Sequence, residues 1–302
     1  MKPQQLQVFL SVVEQGSLHG AARALGLSQP AVTFTLRELE KSLGVPLLLR
    51  SVSGVRLTEY GEAFLVRARL LVEDMRRARE DLIAMRDGAG GHVTATVSSA
   101  VARAMIPQAF AAFRRADAKT TVSFREAALS QALQALRDGQ TDFAVVNSVP
   151  GMRWPDYAQH RTLLPMRLLV AARRGHPLAR VRTLARLQEA EWLLASEPGD
   201  DFDRGFARFF ADNGLAAPER ILRCQSLAPT VALLKTTDVV ALVTEPTFAL
   251  ELRQQPIVAI GVREALPEIE AGIVVRRDRP LTSAAARLLA CMEAAAQSFR
   301  AG

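Results

Sequence analysis

Ser17 and Ser28 each stand directly before an apolar run at helical spacing, with only Gly26 and Leu27 between the end of the first run and the second serine. A serine in that place can accept hydrogen bonds from first-turn backbone amides, so both read as helix N-caps. Pro30 falls in the first turn of the second helix, where its missing N–H costs nothing. Val32, Leu36, Leu39 and Leu43 follow at steps of four, three and four, a helical face that has to be buried. The opposite face carries Gln29, Thr33, Phe34, Arg37 and Glu38. A helix held by its neighbour, with short polar side chains at its outward start, has the shape that enters the major groove of duplex DNA.

The flanks complete the unit. Leu6, Phe9, Leu10 and Val13 give a preceding helix its own core face, ending near Gly16. After Gly44, apolar stretches over 45–50 and 55–58 surround a Ser/Gly turn, which predicts a β-hairpin. Arg50 and Arg56 lie on that hairpin, where phosphates or a minor groove would be met. Three helices and a hairpin make a winged helix-turn-helix. The elements Leu6-x-x-Phe9, Gly16-Ser17, Ala21-Ala22, Leu25-x-Leu27-Ser28-Gln29-Pro30-Ala31-Val32-Thr33, Leu39-Glu40, Leu43-Gly44, Leu47-Leu48-x-Arg50 and Leu57-Thr58-x-x-Gly61 occur together. With them, residues 1–58 resemble the DNA-binding domain of LysR-type transcriptional regulators. The length and later segments of the chain fit the same family.

A chain of 302 residues implies two or more domains. No apolar run approaches the ~18 residues of a membrane span. Met1-Lys-Pro-Gln-Gln leads into an amphipathic helix rather than a signal peptide, so a cytoplasmic protein is expected. The net charge of +7 invites a nucleic-acid partner, but its distribution does not single out the head. Residues 1–58 hold six Lys/Arg against three Asp/Glu, residues 59–87 hold six against seven, and most of the surplus lies further on. The expectation of DNA binding therefore rests on motif geometry.

Residues 59–87 predict one long helix, with Thr58 as its cap and Glu59 and Glu62 at the positive end of its dipole. Phe64, Ala68, Leu71, Met75, Ala78, Leu82 and Met85 step by four and three in turn, a heptad seam among charged faces. The expected partner is the same helix of a second copy; packing onto its own chain is the alternative. The resemblance makes this the dimerising linker helix and implies a tetramer. Residues 88–91, Gly-Ala-Gly-Gly, read as a hinge rather than a nucleotide-binding loop, because no strand precedes them and GxGxxG is not met.

Over 92–302, strands and helices alternate, which indicates parallel sheets covered by helices. The predicted strands are 92–97, 121–124, 142–146, 167–172, 192–195, 221–225, 239–243, 257–260 and 271–275. The predicted helices are 102–115, 129–136, 201–212, 228–235 and 282–299. The resemblance implies two α/β lobes of periplasmic-binding-protein type, with crossings near 164 and 268. Lobe I is then about 92–163 with 269–302, and lobe II about 164–268. Ligands of open α/β sheets sit beyond the carboxyl ends of strands, near helix N-termini. Those positions point to Ser98, Ser99, Ala100, Glu126, Asn147, Ser196 and Thr244 as an effector site. Ser98 and Ser99 are the leading pair, as anion ligands or as plain helix caps. Glu126, Asp200, Asp201 and Glu245 place negative charge around that cleft, which leaves the charge of the effector open.

The DNA-contacting set is Ser28, Gln29, Pro30, Ala31, Thr33, Phe34 and Arg37, with Arg50 and Arg56 from the hairpin. Gln pairs with adenine, Thr and Pro touch a thymine methyl, and Arg reaches guanine or phosphate. Phe34 breaks the polar pattern, either touching a methyl or sugar or folding back onto the hairpin. Cys224 and Cys291 read as buried structural thiols in different lobes rather than a redox pair. His19, His92, His160 and His176 are scattered, so no metal site is expected, and no catalytic motif or cofactor loop occurs.

These features predict a LysR-type regulator, not an enzyme. Its expected partners are operator DNA, a second copy of itself and a small-molecule effector, with RNA polymerase implied by the resemblance and no membrane. Two alternatives stay open. One is an architectural DNA-binding protein whose α/β domain only oligomerises; the other is an enzyme on a periplasmic-binding-like domain carrying a DNA-binding head.

Overall fold

The computed structural model describes residues 1–51, 54–87 and 91–301, except the side chains of residues 50, 51, 80, 81, 84, 85, 87, 300 and 301. The chain divides into two bodies, the head with its linker helix and the α/β domain, and each is described by itself. In the first, the helices are α1 (Pro3–Gln15), α2 (Leu18–Leu25) and α3 (Gln29–Leu43). They are followed by the hairpin β1 (Leu48–Ser51) and β2 (Gly54–Leu57), and by α4 (Glu59–Asp87).

The caps act as the residues dictate. The Ser17 hydroxyl accepts from the Gly20 amide at 3.0 Å, and the Ser28 hydroxyl from Ala31 at 3.3 Å. Gly16, Gly26 and Gly44 end the three helices in the left-handed conformation that glycine adopts without steric cost. Leu6, Val8, Phe9 and Val12 of α1, Ala21 and Ala22 of α2, and Val32, Leu36 and Leu39 of α3 form one buried core. Leu43, expected in the buried stripe, is 36% exposed and stands outside the head core.

The wing is tied to α3 by a residue whose role the sequence did not disclose. The Glu40 carboxylate accepts the backbone amides of Leu47 at 2.8 Å and Leu48 at 3.1 Å. Thr58 then fixes the start of α4: its hydroxyl donates to the Pro46 carbonyl at 2.7 Å and accepts from the Gly61 amide at 3.0 Å.

The α4 seam does not serve a single purpose. Ala68 is fully buried in the head core, and Phe64 packs beside it with its ring 5.3 Å from that of Phe9. Those two positions are therefore spent within the chain, correcting the expectation that the seam faces a second copy from Phe64 onward. Further along, Leu71, Met75, Ala78 and Leu82 are exposed; the Met85 side chain and the 88–90 part of the expected hinge lie outside the described residues.

The second body holds two five-stranded sheets. The first is built from β3 (His92–Val97), β4 (Thr121–Glu126), β5 (Phe143–Ser148), β6 (Ala158–Met166) and a late strand, Ile269–Arg276, in the order β4-β3-β5-late-β6. Helices α5 (Ser99–Ala116) and α6 (Leu129–Arg137) connect its parallel members. The second sheet contains β7 (Leu168–Arg173), β8 (Glu191–Leu194), β9 (Ile221–Arg223), β10 (Val239–Thr244) and β11 (Ile257–Ile260), in the order β11-β7-β10-β8-β9. Between its strands lie α7 (Asp201–Asp212), α8 (Leu227–Thr236) and the short α9 (Glu245–Thr247). The late strand, β12, returns to the first sheet, and α10 (Ser283–Ala301) packs against α5.

The alternation predicts parallel sheets, but neither sheet is purely parallel. The strand β12 runs antiparallel to β5 and β6, and β7 runs antiparallel to β10 and β11. The chain passes between sheets at Arg167, between β6 and β7, and again between Ile260 and Ile269. The sequence reading missed β6 because its middle, Gln159-His160-Arg161-Thr162, is polar, as an edge strand can be.

Gly61 gives a direct test of the head–linker junction. A β-carbon there would overlap the Leu47 carbonyl oxygen, whereas one at Gly205 in α7 meets nothing within 4 Å. Gly61→Ala is expected to destabilise the protein by about 1–3 kcal/mol, as overpacking does. Gly205→Ala is expected to stabilise it by about 0.5–1 kcal/mol, from helix propensity. Thermal unfolding of the two variants beside the parent protein checks both signs.

Candidate functional site

In the head, burial of Val32, Leu36 and Leu39 turns the other side of α3 outward. Ser28, Gln29, Pro30, Phe34 and Arg37 are exposed, and Ala31 and Thr33 are half-buried. Phe34 does not fold back onto the hairpin: it is 68% exposed and takes no part in the head core. Arg56 is exposed on β2, while the side chain of Arg50 lies outside the described residues. Arg37 and Arg56 form no ion pair among the described residues, so both guanidinium groups remain available to an anion. Outward polar side chains with two unengaged cations on a rigidly backed helix and its wing can meet base edges and phosphates together.

In the α/β domain, a cleft of about 650 Å³ lies where strands of both sheets end. Its lining includes all seven predicted positions: Ser98, Ser99, Ala100, Glu126, Asn147, Ser196 and Thr244. Their polar groups are not equally available. The Ser98 hydroxyl donates to Asn147 Oδ1 at 3.2 Å and makes no capping bond to α5. Ser99 Oγ accepts from Arg103 Nη1 at 2.7 Å, and the Arg103 guanidinium also lies 3.2 Å from Glu251. Ser196 Oγ accepts from Arg223 at 2.9 Å. Thr244 caps α9 and exchanges a hydrogen bond with Thr247 at 2.8 Å. Ala100 contributes a buried apolar wall, and Glu126 is exposed at the end of β4.

The charges differ partly from expectation. Asp200 and Asp201 line the cleft as foreseen; Glu245 does not, and Glu268 does. The Asp200 carboxylate is committed to the amides of Asp203 and Glu197 as the cap of α7. Arg204, also in the lining, pairs with Asp201 at 2.6 Å. Sequence reasoning missed Arg204, Met152, Phe202 and Gln225, whose place in the wall depends on how the lobes meet rather than on a local motif. Cys224 is corrected too. It follows β9 and is half-exposed in the cleft wall, with Sγ 3.4 Å from the Ser226 carbonyl oxygen. Cys291 is likewise only half-buried, and burial raises its thiol pKa. Among the described residues, no group of three or more His, Cys, Asp or Glu gathers as metal ligands. No helix among them is long and apolar enough to cross a membrane.

Known proteins share both parts. Residues 3–62 match the family profile described as "Bacterial regulatory helix-turn-helix protein, lysR family", and residues 86–297 match "LysR substrate binding domain". The chain belongs to the LysR family. It is a DNA-binding transcriptional regulator with an effector-binding domain. The transcriptional regulator GalR of Pseudomonas putida is 29% identical over 297 residues, covering 95% of this chain and 72% of its own length. PcaQ of Agrobacterium fabrum is 28% identical, covering 99% of this chain and 96% of its own length. The structure of full-length CbnR complexed with its target DNA aligns with a TM-score of 0.70 at 23% identity, over 98% of this chain and all of that one. A full-length OxyR variant from Pseudomonas aeruginosa aligns at 0.64 with 19% identity, over 99% and 95%. Both structures share the fold of this LysR-family chain.

The start of α7 has a pH signature. Burial raises the Asp203 carboxyl, but the Gly199 amide at 2.7 Å and Arg223 at 2.6 Å outweigh it and hold the pKa below the usual value. A carboxyl depressed on folding contributes stability above its unfolded pKa, and that contribution is lost as pH falls through the folded one. Arg223→Gln should therefore move the onset of acid unfolding to higher pH, measured by circular dichroism across the range below about pH 5.

Proposed function

We propose that this regulator reads operator DNA with the outward face of α3 and that a small molecule bound in the interlobe cleft modulates the reading. The carrying observation is the unengaged face itself, with Gln29, Phe34 and Arg37 exposed while the opposite ridge is buried. Ser28, Gln29, Pro30, Ala31, Thr33, Phe34 and Arg37 meet base edges and nearby backbone, and Arg50 and Arg56 of the wing meet phosphate or minor groove. The complex of CbnR with its target DNA supports this docking by analogy of fold.

The part of α4 whose seam residues Leu71, Met75, Ala78 and Leu82 are exposed pairs two subunits, with Met85 as the next residue of the same heptad series, and two such dimers form a tetramer. The proposed effector ligands are Ser98, Ser99, Ala100, Glu126, Asn147, Ser196 and Thr244. The uncapped start of α5 beside Ser98 suits a polar or anionic group of the effector, and the apolar wall takes its body. Effector affinity that differs between two arrangements of the assembly shifts their populations, and with them the spacing of the heads. The protein works in the cytoplasm without catalysis or a resident cofactor, and it communicates with RNA polymerase.

Gln29→Ala or Arg37→Ala should weaken specific DNA binding by about 1–3 kcal/mol, the worth of one good base contact. Fluorescence anisotropy on a duplex selected from a random library measures this; unchanged affinity in both variants removes the assignment of α3. Leu71→Asp combined with Leu82→Asp should lower the mass seen by analytical ultracentrifugation, and an unaltered assembly would remove the α4 interface. A thermal-shift screen of small acids, aromatics and amino acids should find a ligand that raises the unfolding temperature, since ligand at 100 times its Kd adds about 2.7 kcal/mol. Loss of that shift on Asn147→Ala would support the cleft, and full retention in both Asn147→Ala and Glu126→Ala would count against these ligands.

A further inference from the structure

The least explained side chain on the outward face of α3 is Phe34. Its ring is 68% exposed, joins no core cluster and makes no ring contact among the described residues. Full burial of such a side chain is worth about 1.5–3 kcal/mol, and the folded head forgoes most of that. The ring therefore does little for the stability of the head. Its surroundings are specific. Pro30 stands four residues before it, Arg37 three residues after it, and both are exposed. A long side chain on a helix leans toward the N-terminus, which carries the phenyl toward Pro30 and the end of α3 that would enter the groove first. The result is a small apolar patch set among Gln29, Thr33 and Arg37.

The major-groove floor offers such a patch one apolar group, the C5-methyl of thymine. Cytosine at the same place lacks the methyl and presents an N4 amino donor, which a phenyl ring desolvates without accepting its hydrogen bond. We propose that Phe34 is a specificity-determining residue that packs on a thymine C5-methyl and selects thymine over cytosine at one position of each half-site. The proposal rests on the assignment of α3 as the DNA-reading helix and adds the base and the atom that this residue recognises.

The test begins with duplexes selected from a random library by the full-length protein and by its Phe34→Ala variant. Each thymine conserved in the parent's selected site is then replaced singly by deoxyuridine, which deletes only the methyl. The parent protein should lose about fourfold in affinity at one thymine per half-site, as removal of one buried methyl implies. Phe34→Ala should bind that site more weakly and no longer distinguish thymine from deoxyuridine there, while Phe34→Leu retains part of the distinction. In a site where that thymine is changed to cytosine, 5-methylcytosine should recover part of the lost affinity for the parent protein only. Because the ring lies outside the core, Phe34→Ala should unfold at the parental temperature, so weaker binding would not reflect misfolding.

Indifference of the parent to every deoxyuridine replacement overturns the proposal. Equal discrimination by parent and Phe34→Ala also overturns it and gives the methyl to another residue. A changed assembly mass with DNA binding intact overturns it in favour of a protein contact. Failure of the parent to select any sequence removes the DNA-reading assignment itself, an outcome distinct from the other three.

Discussion

Burial of one aliphatic ridge, Val32, Leu36 and Leu39 of α3, is the constraint on which the rest of the head depends. All three side chains are fully enclosed by the core that α1, α2 and the first turns of α4 supply. A helix has only one circumference, so fixing that ridge inward fixes Gln29, Phe34 and Arg37 outward. The wing is placed relative to this face by Glu40, which sits on the same helix and holds the amides of Leu47 and Leu48. One helix thus carries the packing and the candidate reading surface, and also the anchor of the hairpin.

The same economy governs α4. Ala68 is small and enclosed, and Phe64 lies against Phe9, so the first turns complete the head. Gly61 lets the helix approach the Leu47 carbonyl more closely than any β-carbon permits. Val72 still packs against the head core, whereas Leu71 on another face of the same turn and Met75 and Leu82 further along are exposed. A heptad pattern cannot show where one set of neighbours ends and another begins.

In the cleft, hydrogen bonds decide which polar groups remain available. Ser99, Ser196 and Thr244 line it, yet each hydroxyl has a partner in the protein, from Arg103, Arg223 and Thr247 respectively. Ser98 and Asn147 bond to one another at the mouth of α5, whose start lacks a side-chain cap. With Arg204 in the same lining held by Asp201, fewer polar groups face the cleft unengaged than the strand-end residues alone imply.

What the sequence by itself determined was local. Serine caps, helix-ending glycines and periodic apolar residues act within a few positions of themselves, so α2, α3, the strand His92–Val97 and the helix Asp201–Asp212 were legible; that the seven strand-end residues line the cleft followed from the ligand rule for open α/β sheets. Only the tertiary structure decided the antiparallel course of β7 and β12, the polar edge strand β6, the burial of Ala68 and the exposure of Phe34 in place of a return onto the hairpin. It also placed Cys224 and Arg204 in the cleft wall. Strand direction, enclosure and the pairing of hydroxyls depend on residues far away in the chain, and neither spacing nor residue type carries that information.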